Sequence, residues 1–110
     1  MTNTELDVTI GQINVIPPGE GRNFDVAGER IAVFHARSGQ VFAVQAACPH
    51  KGGPLADGLV GGGILICPLH AWKFDLNSGE ALTGSCSLKT YPVRVDEEGC
   101  VVLTVGGSQH

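Results

Sequence analysis

The residues with the clearest chemistry are Cys48-Pro49-His50 and, after sixteen intervening residues, Cys67-Pro68-Leu69-His70. Each stretch offers one thiolate and one imidazole, the side chains that ligate zinc and iron–sulfur centres. The pattern C-x-H-x16-C-x2-H is specific because two matched pairs, each with Pro directly after Cys, are hard to obtain by chance in 110 residues. Those prolines fix φ and stiffen the backbone around the thiols. A zinc finger groups like with like, as C-x2-4-C followed by H-x3-5-H, with its histidines one helical turn apart. Here His50 and His70 fall in different stretches, and nothing after Cys67 reads as a helix start. A 2Fe-2S centre with two thiolates on one iron and two imidazoles on the other takes one Cys and one His from each loop. Zinc is the alternative, and a colourless protein holding stoichiometric zinc would be its mark.

Such loops need rigid stems. The segments between turn residues are four to eight residues long, with 16 Gly and 6 Pro in the chain, which suits short strands better than helices. Arg30 to Arg37 is a β-branched and aromatic run, Ser38 and Gly39 follow, and Val41 to Ala47 resumes the apolar pattern, predicting a hairpin that ends at Cys48. Tyr91, Val93 and Val95 alternate with Pro92 and Arg94, and Val101, Leu103 and Val105 alternate beyond the acidic turn Asp96 to Gly99. This predicts a second hairpin with one inward face. Pro92 cannot donate a ladder hydrogen bond, so its strand is expected at an edge, or to begin there. Pro17, Pro18 and Gly19 separate Val8 to Ile16 from Asn23 to Ala27. Residues 106–110 read as a flexible tail.

The balance of 7 Lys and Arg against 11 Asp and Glu argues against a nucleic-acid surface. With 43% apolar and 16% charged residues, the chain is expected to form one modest core and a single domain. No apolar run approaches the roughly 20 residues of a membrane span, and residues 1–10 do not resemble a secretory signal, so the expected location is cytoplasmic. Reducing surroundings would keep the four cysteines out of disulfides. There is no G-x-G-x-x-G for a dinucleotide and no Ser/His/Asp or paired-carboxylate arrangement. The chain therefore reads as lacking a complete active site of its own.

CPHKGGPLADG followed by CPLHAWKFDLNSGEAL resembles the two cluster-binding loops of the Rieske family. The likeness is strongest from Cys48 to Leu82 and extends more loosely over nearly the whole chain. It implies an all-β fold: an antiparallel β-sandwich or barrel base with an inserted cluster-binding subdomain, here at about residues 46–84 of a single domain, 1–110. It also implies a Rieske 2Fe-2S cluster, with Cys48 and Cys67 on the inner iron and His50 and His70 on the outer. High-potential members add a disulfide between the loops, a Ser hydroxyl bonded to a cluster sulfur, and a membrane anchor. The matching positions here are Gly53 and Leu69 for the disulfide and Trp72 for the Ser, which implies a potential towards the low end of the Rieske range, about −150 mV or modestly above.

His70, Trp72 and Phe74 are similar to the H-x-W-x-[FY] stretch of ring-hydroxylating oxygenases, but those enzymes add a large catalytic domain for which 110 residues leave no room. The loops and KTYPVRVDEEG look more like the small subunit of NAD(P)H-dependent assimilatory nitrite reductase. Its large subunit would be the redox partner. The alternatives are a freestanding Rieske ferredoxin working between a reductase and an oxygenase, and a redox-sensing or structural iron–sulfur module.

The remaining polar and aromatic residues have plainer readings. Cys86 and Cys100 match no cluster position and are expected to be small core residues, with mutual pairing an option if they lie close. His35 and His110 have no ligand partner at useful spacing and read as structural or solvated. Trp72 and Phe74 alternate with Lys73 as on a half-buried strand. Lys51 and Lys73 beside the loops, against Asp96, Glu97 and Glu98 elsewhere, would give a basic tip that steers a partner, the alternative being an ordinary solvated face, since Asp57 and Asp75 fall in the same region.

Overall fold

The computed structural model describes residues 5–47, 54–67, 72–83 and 87–106. Cys48, His50, Lys51, Gly53, Leu69, His70, Cys86 and His110 lie outside the described residues, as does most of the expected tail.

Among the described residues the structure is all strand and turn. The strands are β1 (Glu5–Gln12), β2 (Glu20–Val26), β3 (Glu29–His35), β4 (Val41–Gln45), β5 (Leu59–Gly61), β6 (Ile64–Ile66), β7 (Lys73–Asp75), β8 (Thr90–Tyr91), β9 (Val93–Val95) and β10 (Cys100–Gly106). Short 3-10 turns cover Ile13–Val15 and Leu55–Asp57. All pairing is antiparallel, in three sheets of order β1-β10-β9, β2-β3-β4-β8 and β5-β6-β7.

The middle sheet is covered on both faces, for which β3 supplies the reason. Ile31, Ala32, Val33 and Phe34 are all 0% exposed. Side chains alternate across a strand, so Ile31 and Val33 join Ile16, Val101, Leu103 and Val105 on one side. Ala32 and Phe34 join Phe42, Val44, Leu55, Leu65, Cys67 and Phe74 on the other. A continuous apolar run, unlike an alternating one, marks a strand with both faces buried. The β5-β6-β7 sheet, which lies in sequence between β4 and β8, closes that second side.

The predicted hairpins form. Between β3 and β4, Ala36 N–H donates to Gln40 O at 2.8 Å and Gly39 takes φ +97°, which favours glycine. Between β9 and β10, Asp96 N–H donates to Cys100 O at 2.9 Å, and Asp96 Oδ1 accepts from the Glu98 and Cys100 amides, each at 2.9 Å. The inward face of this hairpin belongs to Val101, Leu103 and Val105; Val95, at the turn end of β9, stays 39% exposed.

Pro92 sits between two edge strands, β8 of the middle sheet and β9 of the outer one. It interrupts the ladder where the chain changes sheets, and its carbonyl still accepts from Thr104 N–H at 2.9 Å.

The N-terminal half departs from the sequence reading. β2 starts at Glu20 rather than Asn23 and forms a tight hairpin with β3 through Ala27 (φ +53°) and Gly28 (φ +82°). Gly21 permits the earlier start, because a Cβ there would strike the Phe34 ring on the paired strand. Among the described residues no helix is long and apolar enough to cross a membrane.

Candidate metal centre

Both expected ligand loops spring from closed stems. Cys67 follows directly on β6 and is 1% exposed. Its N–H donates to Trp72 O at 2.8 Å, one step beyond the Ile66–Lys73 pair, so the β6–β7 ladder closes the base of loop 68–71. At the other loop, Ala47 and Pro54 form an isolated antiparallel bridge and Leu55 N–H donates to Ala46 O at 3.0 Å, closing the base of loop 48–53.

The two stems share one apolar floor. Ala46 and Leu55 from the first, and Leu65, Cys67 and Phe74 from the second, belong to the same buried cluster, with Leu55, Leu65 and Phe74 at 0% exposure. Gly58 makes their approach close. A Cβ there would meet the Ile66 carbonyl, so only glycine lets the backbone leaving the first stem pass against the residue before Cys67. Behind the floor, Leu82 N–H donates to Lys73 O at 2.8 Å and Leu88 N–H to Gly79 O at 2.7 Å, bringing the chain back towards β8.

A side-chain amide adds a further tie. Gln45, at the end of β4, donates from Nε2 to Ala47 O at 2.7 Å and accepts at Oε1 from Lys89 N–H at 2.8 Å. The sequence carried a signal for it, a lone amide ending the apolar run Val41 to Val44 just before the loop, which periodicity alone does not interpret.

Of the four expected ligands, the structure describes Cys67. Its side chain belongs to the buried apolar cluster, and a thiolate formed there would have its charge compensated directly by a metal ion. Stems ending on one dry floor, each leading into a loop with one Cys and one His, suit a cluster with thiolates on its buried side and imidazoles on its outer side. The donor set and the scaffold therefore fit a 2Fe-2S centre.

Other candidates resolve into structural roles. His35 Nδ1–H donates to Ile16 O at 2.7 Å, fastening the segment before β2 to the end of β3. Phe74 is fully buried and Trp72 packs half-buried against the same cluster, as their alternation with exposed Lys73 implied. Cys100 departs from the expected core position: it is half-buried at the start of β10, outside both apolar clusters, with a free thiol whose pKa is pushed up by burial and then by the carboxylates of Asp96 and Glu98. Asp96, Glu98 and Cys100 offer donor atoms within 4.8 Å of one another, but Asp96 is already engaged in capping its turn.

An all-β scaffold with the stems of two Cys/His stretches on a common apolar floor points to a class, the iron–sulfur electron-transfer domains. The sequence matches the Rieske [2Fe-2S] domain over residues 7–101, and the chain belongs to that family, whose domain carries a Rieske 2Fe-2S cluster and transfers electrons. It is 32% identical to the ferredoxin component of naphthalene 1,2-dioxygenase/salicylate 5-hydroxylase systems from Ralstonia sp., over 87% of this chain and 91% of that one. It is 37% identical to 4beta-methylsterol monooxygenase of Methylococcus capsulatus over 61% of this chain, but spans only 21% of that enzyme's length. In structure it is similar, with TM-score 0.86 and 28% identity over 93% of this chain and 96% of the other, to a Mycobacterium tuberculosis protein assigned as an NADH-dependent nitrite reductase small subunit.

Proposed function

We propose that the chain passes single electrons at low potential as the small subunit of an NAD(P)H-dependent assimilatory nitrite reductase in the cytoplasm. The observation that carries this reading is the near end-to-end structural likeness to the Mycobacterium protein, together with loops that read CPHKGGPLADG and CPLHAWKF.

Cys48 and Cys67 would hold the inner iron and His50 and His70 the outer, with residues 46–84 serving as the cluster-binding part of one domain, 1–110. When bound, the cluster supplies a one-electron couple. The protein's contribution is positional. Leu55, Leu65 and Phe74 exclude water beneath Cys67, and hydrogen bonds close both stems at the bases of the loops. Gly53 and Leu69 offer no bracing disulfide and Trp72 offers no hydroxyl, so less of the reduced state's added negative charge is stabilised, which supports a potential of about −150 mV or modestly above. NAD(P)H, flavin and siroheme chemistry would belong to the large subunit, and the isolated chain should reduce nothing.

A second reading, a ferredoxin serving a dioxygenase, is favoured by the full-length likeness to the Ralstonia component. A potentiometric EPR titration of iron-loaded protein, followed by affinity purification from the native host, tests both. A reversible one-electron Rieske signal with copurification of a siroheme subunit supports the first reading, and copurification of an oxygenase reverses the order. Iron lost on cycling would point instead to a structural or sensing module.

A further inference from the structure

We propose that Gln45 is the positioning residue for the first metal-binding loop, its side-chain amide standing in for a peptide group between that loop and the return segment before β8. The proposal rests on the assignment of Cys48 as a cluster ligand.

The β4–β8 ladder runs through Ala43–Tyr91 and Val44–Thr90, and Gln45 N–H extends it by donating to Lys89 O at 2.9 Å. The Lys89 amide goes to the Gln45 side chain, to Oε1 at 2.8 Å. The other end of the same amide, Nε2, donates to Ala47 O at 2.7 Å. A planar amide with one acceptor and one donor in use is what the next rung of a sheet would offer, and here it reaches past the last strand residue. Pro54, the bridge partner of Ala47, has no N–H with which to take that carbonyl.

The Ala47 carbonyl belongs to the peptide group that leads into Cys48. Because a peptide group is planar, holding its oxygen sets the plane from which the ligand residue departs. Lys89 is itself anchored, its Nζ lying 3.2 Å from Glu29 Oε1. Gln45 thus transmits the fixed position of the middle sheet to the loop, through a hydrogen bond independent of the stem bridge.

The test compares iron-loaded wild type with Gln45→Glu and Gln45→Leu. The first is isosteric and keeps the acceptor for Lys89 N–H but loses the donor to Ala47 O; the second loses both. Both variants are expected to retain the wild-type circular dichroism spectrum, to shift the g-values of the reduced EPR signal, and to release iron to a chelator roughly fivefold faster, the factor one ordinary hydrogen bond represents. The Lys89 amide should exchange faster in Gln45→Leu and stay protected in Gln45→Glu. Unchanged g-values and iron release in both variants, against a normal wild-type signal, overturn the role of Gln45 alone. A wild type without a Rieske signal overturns the cluster assignment and this proposal with it.

Discussion

The Tyr91 hydroxyl donates a 2.6 Å hydrogen bond to Glu29 Oε1, joining β8, an edge of the middle sheet, to the start of β3 across the intervening β4. Lys89 Nζ reaches the same oxygen at 3.2 Å and lies 5.0 Å from the centre of the Tyr91 ring. The return segment that meets Gln45 is thereby pinned to the start of β3.

This contact makes stability depend on pH in two windows. The Tyr91 hydrogen bond, and then Lys89, lower the Glu29 pKa below its ordinary 4.5, so the carboxylate's contribution is present above that value and lost as pH falls through the lowered one. Burial, and then Glu29, raise the Tyr91 pKa above its ordinary 10.0, so that contribution is present below pH 10 and lost as pH rises further. Tyr91→Phe should cost about 1 kcal/mol at neutral pH, a modest figure because Glu29 is partly exposed. Urea unfolding across pH should show a flatter profile for the variant at both ends; parallel profiles would contradict the account.

Gly58→Ala should loosen the platform beneath Cys67. A Cβ at residue 58 meets the Ile66 carbonyl, so β5 and β6 must separate, at about 1–3 kcal/mol, the usual cost of overpacking. Lower urea midpoints should accompany faster iron release to a chelator. Wild-type values for both would mean the two stems are not tightly coupled.

Substituting a proposed ligand should remove the spectroscopic signature without unfolding the base. Cys67→Ser and His70→Ala, made separately, are each expected to abolish the Rieske EPR signal, while the middle and outer sheets keep their amide protection because Ile31, Val33, Leu103 and Val105 form a core of their own. A full-strength Rieske signal in either variant would strike that residue from the ligand set.

Lys73 projects to solvent next to Trp72 and the base of the second loop. If it steers a redox partner, Lys73→Glu should lower the association rate severalfold at low salt, the difference fading as salt screens the charge. Stopped-flow rates at two ionic strengths check this; a rate indifferent to the reversal would remove Lys73 from the docking surface.

What could be read along the chain was local. The Cys/His spacing, the Ser38-Gly39 turn and the Asp96 to Gly99 turn are short-range chemistry, so residue types alone revealed them. The Ala27–Gly28 hairpin escaped because alanine seldom takes positive φ, and the early start of β2 because Gly21 matters only once Phe34 stands opposite.

The sequence by itself determined the Cys and His donor types on offer, their spacing and the strand character of the flanking runs, since these follow from side-chain chemistry and short-range periodicity. Only the tertiary structure decided that β1 closes on β10, that Pro92 hands the chain from one sheet to another, and that Gln45 and Glu29 meet the return segment. Those contacts join residues distant in sequence, and burying both faces of the middle sheet selects them, a condition no single stretch of chain can express.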